Sequence, residues 1–215
     1  MIIAIDGPSA SGKTTTAKGV SKRLGFTHLD TGAMYRAVTL GITQSNIRLS
    51  DYNMINDYLN CMEINFDINN QVWLNGEDVS NSIRTVDISS KVSLVSAIPE
   101  VRKKMVEVQR FIAGDNDCVL EGRDIGTVVF PNAEYKFFLV ADINVRANRR
   151  LAELKDSDKT ITLDEIITNI SDRDELDSSR HHSPLQRAKD AILIDTSHIT
   201  IDKQIDKIVE IVNQK

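Results

Sequence analysis

The sequence predicts an α/β fold in which a parallel β-sheet is covered by helices. Short apolar runs alternate with amphipathic helical patterns, a glycine-rich loop joins the first run to the first helix, and one stretch of strict polar–apolar alternation interrupts the order. Strands buried on both faces of a parallel sheet are short, continuous apolar runs. The predicted strands are Ile2–Ile5, Thr27–Leu29, Cys118–Glu121, Lys136–Val140 and Ala191–Ile194.

Helices are predicted between these strands from apolar residues at helical spacing. One helix covers residues 15–24, and a second begins near Ala33 after a turn at Gly32. A third follows Pro99, and a fourth runs from the capping box of Thr162 and Glu165 towards Ser179. The last helix carries an apolar stripe of Ile201, Ile205, Ile208 and Val212.

Residues 61–79 depart from the α/β alternation. Residues 63–68 alternate between polar and apolar, the turn signal Asn69-Asn70 comes next, and residues 71–74 follow it, with Asn75-Gly76 after them. This pattern predicts a small antiparallel sheet inserted in the α/β core. A second interruption, residues 155–159, is charged and lacks apolar residues. It fits either the tip of a mobile lid or, taken alone, a solvated connection between two helices.

Composition limits the classes of function. The chain has 215 residues and a net charge of −5, which argues against broad nucleic-acid binding. No apolar run approaches the length of a membrane span, so we expect no membrane association. The two cysteines, Cys61 and Cys118, lie far apart in apolar runs and are expected to be buried. These features together predict a reducing, cytoplasmic setting.

The most specific motif is the segment from Gly7 to Thr14, which fits G-x-x-x-x-G-K-[ST]. A strand precedes it and a helix follows it, as a phosphate-binding loop requires. Loop N–H groups and the helix N-terminus surround an anion, Lys13 reaches the β- and γ-phosphates, and the Thr14 hydroxyl ligates Mg²⁺. The predicted ATP contacts are Gly7, Pro8, Ser9, Ala10, Ser11, Gly12, Lys13, Thr14 and Thr15.

Charged residues follow two other predicted strands, at the edge where ligands bind in this architecture. We expect Glu121 to bind Mg²⁺ through a water molecule. Arg123 and Asp124 either project over the ligand crevice or pair with each other. Arg36, one turn into the second helix, is either a contact to a second phosphate or a surface arginine.

Two groups of arginines flank residues 155–159. Arg173, Asp177 and Arg180 share one helix face, and Arg146, Arg149 and Arg150 share another. Each group fits an exposed ion-pair ladder or a closing element that brings cations to a transferring phosphoryl group. The four histidines form no catalytic triad or ligand set and are expected to be structural or exposed: His28, His181, His182 and His198.

Three classes of phosphate-loop protein compete. A GTPase needs an N-K-x-D segment, which the chain lacks, and a motor or transport ATPase usually needs a longer chain. A small-molecule kinase fits the length, the insertion and the arginines. The chain resembles the bacterial cytidylate kinases, a family of nucleoside monophosphate kinases. The segments that carry this resemblance are residues 5–14, 30–36, 121–131 and 173–185.

This resemblance implies a five-stranded parallel sheet of order 2-3-1-4-5, with ATP, Mg²⁺ and CMP or dCMP as ligands of a monomer. It implies a core of residues 1–60, 98–150 and 183–215, a nucleotide-binding insertion of residues 61–97 and a lid region of residues 151–182. It also implies that Lys13, Arg123, Arg173 and Arg180 are catalytic and that Arg149 and Arg150 contact ATP. The implied CMP contacts are Thr31, Arg36, Ser93, Arg102, Arg123, Asp124, Arg173, Asp177 and Arg180.

Cytosine chemistry agrees with the implied base contacts. Asp124 and Ser93 can accept from the exocyclic amino group, while Arg102 donates to N3 and O2. Uracil would present a carbonyl to the Asp124 carboxylate and be rejected. Alternatives that stay open are a kinase for UMP or AMP, and a nucleotide-dependent regulatory module without transferase activity.

Overall fold

A computed structural model describes residues 1–67, 70–154 and 161–214. The strands, in chain order, are β1 (Ile2–Asp6), β2 (Thr27–Asp30), β3 (Ile64–Phe66), β4 (Val72–Leu74), β5 (Glu77–Asp78), β6 (Cys118–Gly122), β7 (Tyr135–Val140) and β8 (Ile192–Asp195). The α-helices are α1 (Lys13–Leu24), α2 (Thr31–Gln44), α3 (Tyr52–Cys61), α4 (Val86–Ser96), α5 (Pro99–Ala113), α6 (Ile143–Leu154), α7 (Leu163–Ser179) and α8 (Ile201–Asn213).

The main sheet confirms the predicted fold class and strand order. Its strands lie in the order β2-β6-β1-β7-β8, which is 2-3-1-4-5 when the strands of this sheet are numbered alone. Strand β1 pairs in parallel with β6 and β7, and β7 pairs in parallel with β8. The predicted apolar runs match the observed strands to within one residue at each end. Strands β1, β6 and β7 are buried along most of their length, which demands apolar side chains, whereas the edge strand β8 buries only Ile194.

The core of this sheet is covered by the first and last helices. Ile3, Ile5 and Phe137 of the sheet pack with Ala17 and Val20 of α1. The predicted stripe of α8 is confirmed at three of its four positions, since Ile205, Ile208 and Val212 are buried, whereas Ile201 is partly buried against the same cluster.

Side-chain caps decide where two helices begin. Asp30 Oδ1 accepts the backbone N–H of Ala33 at 2.8 Å, so α2 starts at Thr31, two residues before the predicted start. The capping box that was predicted for α7 is confirmed, since Thr162 and Glu165 each accept from the other's backbone N–H.

The inserted antiparallel sheet is also confirmed. Strands β3, β4 and β5 form it in that order, with Ile64 opposite Leu74. The prediction for Cys61 is wrong. It is the exposed last residue of α3, because the polar-rich segment before it is helical rather than extended. Cys118 is buried in β6, as expected.

The chain divides into two compact units. Unit 1 comprises residues 1–28 and 115–215, and unit 2 comprises residues 29–114. The predicted insertion, residues 61–97, falls within unit 2. The proposed lid tip, residues 155–159, lies outside the described residues. Among the described residues, no helix is both long and apolar enough to cross a membrane.

Candidate active site

The phosphate loop of unit 1 connects β1 to α1 through residues 7–12. Gly7 has a φ of +152°, and a Cβ there would lie 2.2 Å from the carbonyl oxygen of Leu139, so only glycine fits this close approach to β7. Gly12, at φ +89°, is the N-cap of α1. The loop therefore turns from the end of a buried strand directly into a helix N-terminus, which is the geometry of an anion site.

Lys13 begins α1 and turns back over the loop. Its ammonium group donates to the carbonyl oxygen of Pro8 at 2.6 Å and to the hydroxyl of Ser11 at 3.3 Å. Burial, with the nearby Arg123 guanidinium adding to it, holds the pKa of Lys13 well below its ordinary value. A phosphate placed beside this ammonium group would favour its charged form.

Thr14 and Glu121, the two residues predicted to bind Mg²⁺, lie in contact with each other. The Thr14 hydroxyl donates to Glu121 Oε2 at 2.7 Å, and Glu121 is buried at the end of β6. Hydroxyl and carboxylate oxygens suit Mg²⁺, which usually takes few protein ligands and completes its shell with phosphate and water. Within the described ranges, no group of three or more His, Cys, Asp or Glu side chains is arranged to hold a metal.

His28 is a residue whose place the sequence did not reveal. It is buried at the end of the unit 1 part of β2, and its Nε2 lies 3.2 Å from Glu121 Oε1. The sequence predicted only that His28 is structural or exposed. The structure shows that it contacts the second carboxylate oxygen of Glu121, the candidate metal ligand. The only sequence signal was a polar residue within an apolar strand.

A buried charge cluster links β6 to the end of α7. Arg123 Nε donates to Asp177 Oδ2 at 2.8 Å, and an Arg180 nitrogen lies 3.4 Å from Asp177 Oδ1. Burial raises the pKa of Asp177, but Arg123, Arg173 and Arg180 outweigh it and leave that pKa below its usual value. The exposed ladder that the sequence left open is excluded here, because the side chains of Asp177 and Arg180 are only 6% and 7% exposed.

This cluster is electrostatically connected to the phosphate loop. The guanidinium groups of Arg123 and Arg173 lower the pKa of Lys13 as well as that of Asp177. Three cations of unit 1, Lys13, Arg123 and Arg173, are thus close enough to influence one another electrostatically. Asp124, also predicted from sequence, is buried next to Arg123 in chain order.

Arg146 and Asp174 hold the phosphate loop from outside and were not predicted to do so. Asp174 Oδ1 accepts the backbone N–H of Ser9 at 2.9 Å, Arg146 donates to the Ser9 carbonyl at 3.1 Å, and the two side chains pair with each other. Sequence spacing placed Arg146 on an arginine face, but no sequence pattern relates it to a residue 28 positions later.

The other two arginines of α6 do not share a partner. Arg149 donates to the carbonyl and hydroxyl oxygens of Thr196, at 2.6 Å and 3.1 Å. It also lies near the loop, 3.7 Å from the position of a Cβ on Gly12. Arg150 pairs with the exposed Glu153. Their predicted contacts with ATP stay predictions, as does that of Thr15, which is exposed.

Unit 2 holds the other predicted residues. Arg36 lies 3.4 Å from the Asp30 carboxylate, one turn into α2, and Thr31 is buried at the first position of that helix. Arg102 of α5 is buried, donates to the carbonyl oxygen of Ser96 at 3.1 Å and stacks 5.3 Å above the ring of Tyr35.

Arg102 is therefore held in place by a hydrogen bond and a cation–π contact. The sequence alone did not identify Tyr35 as a partner of Arg102, because helical spacing does not show which helices pack together. Ser93 lies half-buried on α4.

Comparison with known proteins places the chain in a family. The cytidylate kinase family model matches residues 3–214. A cytidylate kinase of Cytophaga hutchinsonii is 49% identical over 98% of this chain and 92% of its own length. Those of Caldanaerobacter subterraneus and Carboxydothermus hydrogenoformans are 48% and 45% identical, over 99% and 100% of this chain and 94% and 98% of their own lengths.

Solved structures agree at the level of the fold. Shikimate kinase from Bacteroides thetaiotaomicron superposes with a TM-score of 0.51 at 12% identity, covering 99% of this chain and 98% of its own. An uncharacterised protein from Eubacterium ventriosum gives a TM-score of 0.57 at 11% identity, covering 100% of this chain and 99% of its own. A family match along nearly the whole chain, joined to a phosphate loop in its structural context, means that this chain belongs to the cytidylate kinase family of phosphotransferase enzymes.

Proposed function

We propose that the protein transfers the γ-phosphoryl group of ATP to CMP, and also to dCMP, yielding ADP and the cytidine diphosphate. The observation that carries the proposal is the convergence of two sets of phosphate-binding groups on unit 1. One set is the phosphate loop with Lys13. The other is the cluster of Arg123, Arg173 and Arg180, two of whose guanidinium groups already act on Lys13.

The phosphate loop and its surroundings are assigned to the ATP phosphates. Lys13 would exchange its contacts with Pro8 and Ser11 for phosphate oxygens. Thr14 and Glu121 would hold Mg²⁺, which supplies positive charge to the β- and γ-phosphates when bound.

The acceptor is assigned by its phosphate, ribose and base. Arg36, Thr31 and Arg123 would bind the CMP phosphate, and Arg173 and Asp177 the ribose hydroxyls. Arg102, Ser93 and Asp124 would distinguish cytosine from uracil, because a carboxylate accepts from an amino group and repels a carbonyl. The stacking of Arg102 on Tyr35 supports this assignment, since a fixed guanidinium group gives sharper discrimination than a mobile one.

The reaction needs no covalent enzyme intermediate. An oxygen of the CMP phosphate attacks the γ-phosphorus in line, the bond to the β–γ bridging oxygen breaks, and ADP leaves with the electron pair. The attacking oxygen is already largely ionised near neutral pH, so no dedicated base is assigned. The arginines and Lys13 stabilise the charge on the transferring group.

One experiment tests the substrate and the class of function together. Release of ADP is measured with each of CMP, dCMP, UMP and AMP as acceptor, at saturating ATP and Mg²⁺. We expect CMP to give the highest kcat/KM, with dCMP next. A higher kcat/KM with UMP or AMP would identify that nucleotide as the acceptor in place of CMP. Tight ATP binding without transfer to any acceptor would favour a regulatory module. The monomeric state, cytoplasmic location and lid region remain predictions.

A further inference from the structure

The carboxylate of Asp6 holds the backbone of the segment that follows β6. Asp6 is the last residue of β1 and is only 4% exposed. Its Oδ1 accepts the N–H of Ile125 at 2.9 Å, and its Oδ2 accepts the N–H of Gly126 at 2.8 Å. Both hydrogen bonds are charge-assisted and lie where water does not compete, so they restrain two successive peptide units.

Lys136 of β7 restrains the same segment from a second strand. A Cβ at Gly126 would lie 3.2 Å and 3.3 Å from the Lys136 side-chain carbons and 3.4 Å from Asp6 Oδ2, so Gly126 is closely packed between the two side chains. The Lys136 ammonium group donates to the carbonyl oxygen of Pro131 at 2.5 Å and to the exposed Asp190 at 2.7 Å. We call the side chains of Asp6 and Lys136 the clamp.

The clamped segment begins directly after Arg123 and Asp124. Residues Ile125–Val129 form one π-helical turn, in which the N–H groups of Val128 and Val129 donate to the Asp124 carbonyl oxygen. The peptide on the carboxyl side of Asp124 is therefore fixed by its own carbonyl and by Asp6. Such a turn is uncommon and is found frequently at functional sites.

Burial of the charged Asp6 carboxylate reduces the stability of the folded protein. Burial raises the pKa of Asp6 to about 6, and the neighbouring Asp124 carboxylate adds to the increase. The two backbone N–H groups and Lys13 act in the opposite direction. A buried carboxylate that is held beside a second carboxylate serves stability poorly, which points to a role in the site.

We propose that Asp6 is a positioning residue for the acceptor nucleotide. Together with Lys136 it fixes the direction in which the side chains of Arg123 and Asp124 leave the end of β6. The inference rests on the proposed function, which assigns the CMP phosphate to Arg123 and the cytosine amino group to Asp124. Asp6 itself touches neither nucleotide in this scheme.

The first test is Asp6→Asn, assayed at pH 7.5 with CMP, UMP and ATP varied separately. The amide keeps the shape of the carboxylate but turns an NH₂ group towards one of the two backbone N–H groups. We expect the KM for CMP to rise by about tenfold or more, since misplacement of binding groups by even 1 Å is expensive. The preference for CMP over UMP should fall, while the KM for ATP changes far less.

Glu134→Gln is the matched control. Glu134 Oε2 also accepts a backbone N–H of β1, that of Ile2 at 2.8 Å, but at the opposite end of the strand. Its substitution by glutamine removes the charge from an exposed carboxylate–backbone hydrogen bond of the same strand, and it should leave both KM values and the CMP preference unchanged.

Gly126→Ala approaches the clamp from its other side, in case the Asp6 variant folds poorly. The added methyl group would lie 3.2–3.4 Å from side-chain atoms of Lys136 and Asp6, so these side chains or the segment must shift by a few tenths of an ångström. Either shift loosens the clamp, and the same selective loss for CMP is expected. If the wild-type protein transfers nothing to CMP, the proposed function and this inference both fail. If it does, and the folded variants keep the wild-type KM for CMP or lose CMP and ATP binding equally, the inference alone is overturned.

Discussion

The hydroxyl group of Thr14 donates to Oε2 of Glu121 across 2.7 Å, joining the first turn of α1 to the end of β6. The other carboxylate oxygen faces Nε2 of His28 at 3.2 Å. Two residues that are 107 positions apart thus present oxygen atoms side by side next to the phosphate loop, and a buried imidazole orients one of them.

This pair predicts how the enzyme depends on Mg²⁺. Glu121→Gln removes the negative charge but keeps the side chain's size and its contact with Thr14. We expect the Mg²⁺ concentration for half-maximal activity to rise by about tenfold or more. The measurement is a Mg²⁺ titration at fixed ATP, with Glu134→Gln as the control carboxylate. An unchanged titration curve would remove Glu121 from the metal site.

Lys13→Ala should cut kcat by at least about a hundredfold, because a preorganised cation at the transferring phosphoryl group is lost. The fold should persist, since the hydrogen bonds that the ammonium group donates to Pro8 and Ser11 lie within the loop itself. Lys18→Ala, an exposed position in the same helix, is the control and should retain activity. Near-normal turnover by the Lys13 variant, with circular dichroism unchanged, would refute the assignment.

Asp177→Asn should separate the ribose contact from the structural one. The residue pairs with Arg123 and Arg180, so the variant should lose activity with every acceptor. It should nevertheless lose about tenfold more kcat/KM with CMP than with dCMP, because only CMP has a 2′-hydroxyl to bind. Asp172→Ala, exposed on the same helix, should change neither value. Equal losses for the two acceptors would contradict a ribose role.

Stability should decline with rising pH in a way that depends on Asp6. The pKa of Asp6 is about 6 in the folded protein and 3.8 in the reference state, so the folded state binds more protons between those values. The free energy of unfolding of the wild type, relative to Asp6→Asn, should therefore fall by about 2 kcal/mol from pH 4 to pH 6. Urea unfolding of both proteins at several pH values measures this difference. A difference that stays constant with pH would show that the pKa of Asp6 is not raised on folding.

The two cysteines should react at very different rates. Burial raises the pKa of Cys118 to about 12, whereas Cys61 is exposed at the end of α3. A thiol-specific reagent at pH 8 should modify one thiol of the native protein and two after denaturation. Cys61→Ser should abolish the native reaction. Modification of both thiols in the native protein would show that β6 opens readily.

Local sequence patterns were sufficient for the five strands of the main sheet and for helices such as α1, α7 and α8. The strands around Ile3, Leu120 and Phe137 are continuous apolar runs, and the start of α7 is encoded by Thr162 and Glu165 three residues apart. The sequence alone did not predict helix α3 before Cys61, because its apolar residues are sparse. Only Ile55 and Leu59 of this helix are buried, and local patterns do not show that they pack against the rest of the fold.

By itself the sequence determined the phosphate loop, the strand order that the family resemblance implies, and the arginines around the loop. Tertiary structure alone decided the long-range hydrogen bonds around the site: those of Asp6 with Ile125 and Gly126, of Asp174 with Ser9, and of His28 with Glu121. The physical reason is range. Helix caps, apolar periodicity and glycine turns act over a few residues and leave a trace in the sequence. Hydrogen bonds between residues about a hundred or more positions apart arise only when the fold brings strand ends and helices together at one edge of the sheet.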